Sequence, residues 1–355
     1  MFLVAALGFL LAAGPGRWES SGPLYPAIDQ ITAAPAPDDE NIVYAGAHDP
    51  ASGKSALFRS RDGGASWETV AEAPASETLR SFAIDPTGPE RMLALTRSWD
   101  GVHGQLYRSD DAGRTWLRKA SYFASDNDAI LFDTKQPNTA YFLFGNLWRS
   151  ETDAIWEEIA PDVSQAWVSP GGHLYWLQLV YPLRPPYPLP WFPQPPSWMA
   201  LGSADQGRNA SSVPATCIDL DSVVYAPGEP LTAYAVSVNC APLDASLDGG
   251  LHWSGIASDD LTRLLGRLPG GQVRSVSVDP ARANDLFAIL SFESPGSELL
   301  IRSEDAGVHW TSVPVPATPT GPLAISPSGR FLYVGTDAGV YRLSLAGTRV
   351  LEPRD

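Results

Sequence analysis

The stretch Ser60-Arg61-Asp62-Gly63-Gly64-Ala65-Ser66-Trp67 constrains this chain most, because it recurs. The pattern S-x-D-x-G-x-x-W returns at Ser109–Trp116 (SDDAGRTW), Ser246–Trp253 (SLDGGLHW) and Ser303–Trp310 (SEDAGVHW). A worn copy, SETDAIW at Ser150–Trp156, is one residue short, with Thr152 in the Asp place and Ala154 in the Gly place. Apolar runs ending in Arg (LFR, LYR, LWR, LIR) precede the first, second, worn and last copies, and β-prone residues follow each. That order reads as strand, tight turn, strand. The Asp and Ser side chains favour hydrogen bonds to backbone inside the turn. The Gly supplies a backbone with φ > 0 at little steric cost. The Trp opens the next strand and has the surface to anchor the hairpin on a neighbouring sheet.

Around each copy lies a larger unit. Its clearest form runs over 80–118, as RSFAIDP, RMLALT, QLYRSDDAGRTW and LRK, giving four short strands A to D with the repeated turn between C and D. The leading Ser residues of the five copies stand 49, 41, 96 and 57 residues apart. The gap of 96 holds two units, so one unit between Ser150 and Ser246 is expected to lack the turn. Its inner strands are placed at QAWVS and HLYWLQLV within 165–180. The total is seven, with six and eight as alternatives. The last unit stops after strand C, and Trp18-Glu19 resembles Trp67-Glu68 at the start of the first strand D. Residues 17–23 are therefore expected to complete the last unit and close the ring, which removes an exposed sheet edge. The tail after Leu345 is the competing segment.

The pattern is that of the Asp-box, or BNR, repeat, and the chain resembles the Asp-box β-propellers. These include sialidases, xyloglucanase-type glycoside hydrolases, sortilin-type receptor domains and photosystem assembly factor propellers. The resemblance implies an all-β, single β-propeller of four-stranded antiparallel blades. It also implies a structural role at the outer blade edge for Ser60, Asp62, Gly64, Trp67, Ser109, Asp111, Gly113, Trp116, Ser246, Asp248, Gly250, Trp253, Ser303, Asp305, Gly307 and Trp310. His252 and His309, just before two of the Trp residues, read as structural for the same reason.

With 355 residues, 44% of them hydrophobic, the chain can bury a large core, and 31 Gly and 33 Pro suit many turns. A net charge of −16 argues against nucleic acid and anionic membranes as partners held by charge. Residues 2–13, FLVAALGFLLAA, have the length of a signal-peptide core, so 1–16 are read as an export signal or N-terminal anchor, with a buried strand as the alternative. The propeller would then occupy 17–355, outside the cytoplasm. Cys217 and Cys240 fall on neighbouring predicted strands of one repeat; a bridge and a pair of buried thiols both fit.

The stretch Tyr181–Trp198, YPLRPPYPLPWFPQPPSW, breaks the repeat. Prolines at this density exclude helix and central strand and favour polyproline II. Gly202–Ser212 (GSADQGRNASS) reads as a polar loop continuing an insertion over 181–212, with a glycosylation sequon at Asn209-Ala210-Ser211. The favoured reading of this stretch is packing over the blade expected to lack the turn; in the other, Tyr187, Trp191, Phe192 and Trp198 are candidate partner contacts.

No catalytic residue is assigned. The early Arg-Ile-Pro motif of sialidases is absent. Arg59, Arg108, Arg149, Arg302 and Arg342 recur at one strand-C position, and repetition points to architecture because an active site is made once. Xyloglucanase-type enzymes resemble the 83–116 unit most, but they place a catalytic Asp on each of two facing propellers, and glycoside hydrolysis needs both carboxylates. His48-Asp49 and Asp100 with His103 sit in B–C loops of adjacent units, where a shared metal pair is conceivable; no metal site and no cofactor is expected. The reading is a non-catalytic binding or scaffold propeller, its protein or carbohydrate ligand at a face of the disc. The alternative is a glycoside hydrolase, exo-sialidase-like or xyloglucanase-like.

Overall fold

The computed structural model describes residues 18–23, 25–34, 41–125, 127–151, 155–180, 197–213, 220–228, 231–237 and 241–345. Seven four-stranded antiparallel sheets form a seven-bladed β-propeller. The chain begins with β1 (Trp18–Ser20). Blade one is β2 (Ala27–Ala33), β3 (Val43–His48), β4 (Ser55–Ser60) and β5 (Glu68–Glu72). Blade two is β6 (Glu77–Ile84), β7 (Met92–Ser98), β8 (His103–Ser109) and β9 (Leu117–Phe123). Blade three is β10 (Ala129–Phe132), β11 (Ala140–Phe144), β12 (Asn146–Ser150) and β13 (Glu157–Ala160). Blade four is β14 (Val163–Val168), β15 (Leu174–Val180), β16 (Ser197–Ser203) and β17 (Ser211–Ser212). Blade five is β18 (Leu220–Tyr225), β19 (Ala233–Ser237), β20 (Leu243–Ser246) and β21 (Ser254–Gly255), followed by a short helix, α1 (Asp259–Leu265). Blade six is β22 (Gln272–Asp279), β23 (Arg282–Ser291), β24 (Leu299–Ser303) and β25 (Thr311–Val313). Blade seven is β26 (Pro319–Ile325), β27 (Phe331–Thr336) and β28 (Gly339–Ser344).

The ring closes through its N-terminal strand. β1 pairs antiparallel with β28, Trp18 opposite Leu343, and so supplies the outer strand of blade seven. Arg342 forms an ion pair with Glu19 at 2.6 Å across this joint. The buried residues lie between blades. Strand B of each blade carries the densest apolar run, as in β3 and β23, because it is covered on both faces. The innermost strands are stitched by side chains: the Gln30 amide donates to Phe82 O (2.8 Å) and accepts from Phe82 N (3.0 Å), joining blade one to blade two. In the same way Ser275 Oγ donates to Gly321 O at 2.6 Å. These bonds satisfy backbone groups that an inner strand edge leaves open.

The repeated turn has one geometry throughout. Ser60 Oγ donates to Asp62 Oδ1 (2.9 Å) and accepts from Gly64 N (2.7 Å), while the Asp62 carboxylate accepts from Ser66 N (2.8 Å). Ser109/Asp111, Ser246/Asp248 and Ser303/Asp305 repeat this arrangement. The two residues before Ala65 are both left-handed, Gly63 at φ 67° and Gly64 at φ 84°. A Cβ on Gly64 would stand 2.9 Å from the Tyr333 ring. Trp116, Trp253 and Trp310 each donate from Nε1 to the Gly carbonyl of their own turn, at 2.8, 3.0 and 2.8 Å.

One expectation is overturned here. Blade four does contain the turn, at Ser203-Ala204-Asp205-Gln206-Gly207-Arg208-Asn209-Ala210. Gly207 N donates to Ser203 Oγ at 2.8 Å, and Asn209 N donates to Asp205 Oδ1 at 2.8 Å. Gln206 and Gly207 repeat the left-handed pair, at φ 65° and 85°. The sequence disguised it because Ala210 stands where the Trp should be. The ring of bonds closes with Ser, Asp and Gly; the Trp packs beside it and adds its indole bond to the Gly carbonyl from outside the ring. The interruption of the repeat therefore narrows from 181–212 to 181–196, since Ser197–Ser203 is strand C. Asn209 of the sequon donates its amide to Asp205 Oδ2 at 2.6 Å.

Candidate functional site

A four-stranded meander puts its A–B and C–D turns on one face of the disc and its B–C and D–A connections on the other. The repeated turns occupy the first face. Their amides bond the A–B turn of the same blade: Gly63 to Asn41 O, Ala112 to Glu90 O, Gly249 to Leu231 O and Ala306 to Asn284 O, at 2.7–2.9 Å. The recurring arginines join this face from blade to blade. Arg59 donates to Ala112 O at 2.8 Å, Arg149 to Gln206 O at 3.4 Å and Arg342 to Gly63 O at 2.7 Å. Each reaches the same position of the next blade's turn. A surface built this way leaves its polar groups engaged with itself.

The opposite face is different. In blades one, two, four, five and six the inner strand carries a bulge near its start, where one residue has no partner on strand B. In blade one that residue is Asp29, between the Ile28–Ala47 and Gln30–Gly46 pairs. The same register puts Arg80 there in blade two, Ser164 in blade four, Asp221 in blade five and Arg274 in blade six. Blade three has no register shift, and Asp128 stands at the corresponding place immediately before the Ala129–Leu143 pair; in blade seven Gly321 is the middle of three residues between the paired Pro319 and Leu323. The mouth of the central channel is thus ringed by one residue per blade, and the residues differ. Asp29, Arg80 and Arg274 are exposed.

Between blades six, seven and one this ring opens into a cavity of about 600 Å³ lined by Asp29, His48, Arg274, Glu298, Asp337 and the Thr318–Pro322 backbone. Gly321 makes room for Arg274: a Cβ at position 321 would lie 2.8 Å from Arg274 Nε. Asp29 holds His48 at 2.7 Å. Partial desolvation against the cavity wall pushes the Asp29 carboxyl above its ordinary pKa, with the hydrogen bond and charge of His48 pulling the other way. Glu298 Oε2 is buried without a hydrogen-bond partner. Asp337 Oδ1 accepts from Thr318 N at 3.1 Å. The arrangement suits a polar ligand of mixed charge. Among the described residues, no tyrosine or cysteine lines the cavity, and it has one arginine where a sialidase needs three.

The shared metal pair does not assemble. Asp49 accepts from Ala51 N and Ser52 Oγ of its own turn, Asp100 from Val102 N of its own, and His48 turns to Asp29 instead. Among the described residues, no three His, Cys, Asp or Glu side chains are placed to hold a metal ion. Trp198 lies on β16 opposite Leu179, 42% exposed. Tyr187, Trp191, Phe192, Cys217, Cys240 and residues 1–16 lie outside the described residues. The sequence reading missed the bulge residues, and also Trp99 and Phe123, which are 65% and 74% exposed on blade two. The signal for the bulges was present: a charged or Ser residue at the entry of the bulged inner strands, Asp29, Arg80 and Arg274 among them.

Comparison with known proteins agrees with the architecture. The Sortilin-Vps10 family profile (sortilin, neurotensin receptor 3) matches residues 55–170, about a third of the chain. No curated protein matches the sequence. A structure of YCF48 bound to D1 peptide superposes with a TM-score of 0.60 at 12% identity, covering 95% of this chain and 98% of that one. YCF48 from Cyanidioschyzon merolae gives 0.55 at 14% identity, covering 92% and 98%. The GH74 xyloglucanase from Xanthomonas campestris gives 0.65 at 17% identity, covering 92% of this chain and 53% of that enzyme, so this chain spans about half of its length. At these identities the likeness is one of fold.

Proposed function

We propose that this chain, a seven-bladed propeller of the Asp-box superfamily, is a non-catalytic binding module that holds a protein segment at its channel mouth. One observation carries the reading. At the entries of the inner strands the mouth carries Asp29, Arg80, Asp128, Ser164 and Arg274, while the opposite face repeats Ser, Asp, Gly and Arg. A scaffold requirement acts alike on every blade; a binding surface is made once. The ring mixes signs, so it fits a polypeptide presenting both charges rather than a polyanion, in keeping with the net charge of −16. The peptide-bound YCF48 structure is a precedent for a propeller of this size holding a peptide. The sortilin match and the apolar run at 2–13 support a location outside the cytoplasm. Among the described residues no helix is long and apolar enough to cross a membrane.

A glycoside hydrolase is the second reading, favoured by the xyloglucanase likeness and by Asp29, whose raised pKa suits a general acid. A peptide array probed with the purified protein, together with xyloglucan and sialyllactose hydrolysis assays, separates the two. The expected result is binding to a subset of peptides, weakened at least about tenfold by Arg274→Ala or Asp29→Asn, with no sugar release. Sugar release abolished by Asp29→Asn would establish the hydrolase instead. Peptide binding indifferent to both substitutions would remove the mouth from consideration.

A further inference from the structure

The gap between blades one and two differs from its neighbour. Between blades two and three an aromatic cluster fills the space: Tyr122 meets Phe142 edge-on at 4.9 Å and Phe144 at 5.5 Å, with Trp148 stacked on Phe144. Strand register identifies the equivalents one blade earlier. Phe142 pairs with Trp148 as Ala94 pairs with Tyr107, and Phe144 pairs with Asn146 as Thr96 pairs with Gln105. On strand D, Ala120 opposite Leu106 matches Ala71 opposite Leu57, so Tyr122 corresponds to Ala73. Three aromatic side chains are replaced by Ala73, Ala94 and Thr96, and all three replacements line a cavity of about 150 Å³.

Its walls are apolar: alanines, Leu57 and Leu79, with the rings of Tyr107 and Trp116. The hydroxyls nearest it are already engaged, Thr96 Oγ1 and Tyr107 OH both donating to Glu77. Water needs two or more polar partners to occupy such a space, whereas a dry apolar cavity of about 150 Å³ takes a benzene-sized molecule. We propose that the gap between blades one and two is a binding site for a small aromatic molecule of phenyl size, its ring taking the place that Tyr122, Phe142 and Phe144 fill one blade further on. This inference is independent of the channel-mouth reading.

Toluene is the probe. At about ten times its Kd it should raise the melting temperature by about 2 °C, as binding to the native state alone requires for a chain of this size. NMR contacts should run from toluene to the Ala73 and Ala94 methyl groups. Ala94→Phe should abolish the shift by filling the site with the side chain that blade three carries. Ala73→Leu serves the same purpose should Ala94→Phe fail to fold. No shift in the unmodified protein at saturating toluene, or an equal shift in the filled variants, would overturn the proposal.

Discussion

The two faces of the disc are built from the same four-stranded units, yet they follow opposite rules. On the turn-bearing face blades one, two, four, five and six repeat one hydrogen-bonded ring, and arginines of blades one, three and seven reach the turn of the following blade. On the mouth face the bulge residue changes from Asp to Arg to Ser to Gly around the circle. Repetition on one face and variety on the other separates what the ring needs to stand from what it presents to a ligand.

Substitutions can break this contrast. The largest loss is expected from Arg91→Ala on the turn-bearing face. Arg91 is buried, pairs with buried Asp85 at 2.9 Å and reaches Asn138 O of blade three at 3.1 Å. Removing it strands a buried carboxylate, so denaturant unfolding should show a loss of about 3–5 kcal/mol. Gly64→Ala should cost about 2–3 kcal/mol by the same measurement, because left-handed backbone penalises a Cβ and this one also meets the Tyr333 ring.

Acid should weaken the same face. Hydrogen bonds within the turns hold Asp111, Asp205 and Asp305 at a pKa of about 2. Partial burial opposes the shift at Asp62, but the bonds from Ser66 and Ser60 bring it to about 2 as well. A pKa depressed in the folded state gives stability that is complete above the ordinary carboxylate range and is lost as pH falls from about 4 through 2. The melting temperature should fall over that interval, and more shallowly in a variant with all four changed to Asn. An unchanged slope would mean the turns contribute no such linkage.

The smallest effect on stability belongs to the mouth. Arg274→Ala and Asp29→Asn should each shift unfolding by less than about 0.5 kcal/mol, as exposed substitutions do, while altering peptide binding. A mouth substitution as costly as Arg91→Ala would erase the contrast between the faces.

Much of the fold was legible because the turn chemistry is local. Ser, Asp and Gly at fixed spacing close a ring of hydrogen bonds within eight residues, so copies can be counted without tertiary knowledge. The Trp18-Glu19 likeness to Trp67-Glu68 likewise exposed the closing strand, since both begin an outer strand. The fourth-blade turn is disguised because it lacks Trp, the largest member of the pattern, which stands outside the Ser–Asp–Gly ring of bonds. Ala210 breaks the pattern while leaving the ring of bonds intact.

The channel mouth was hidden for another reason. Asp29 and Arg274 are 245 positions apart, and each looks like an ordinary strand-entry residue. They line one cavity only because β26 lies between β2 and β22, and because Gly321 carries no side chain where Arg274 crosses. The sequence alone determined the four-stranded unit and the chemistry of its turn, through bonds spanning a few residues. Tertiary structure decided which strand-entry residues meet at the mouth, and which gap between blades stayed open, because both depend on register and packing between blades that no local pattern encodes.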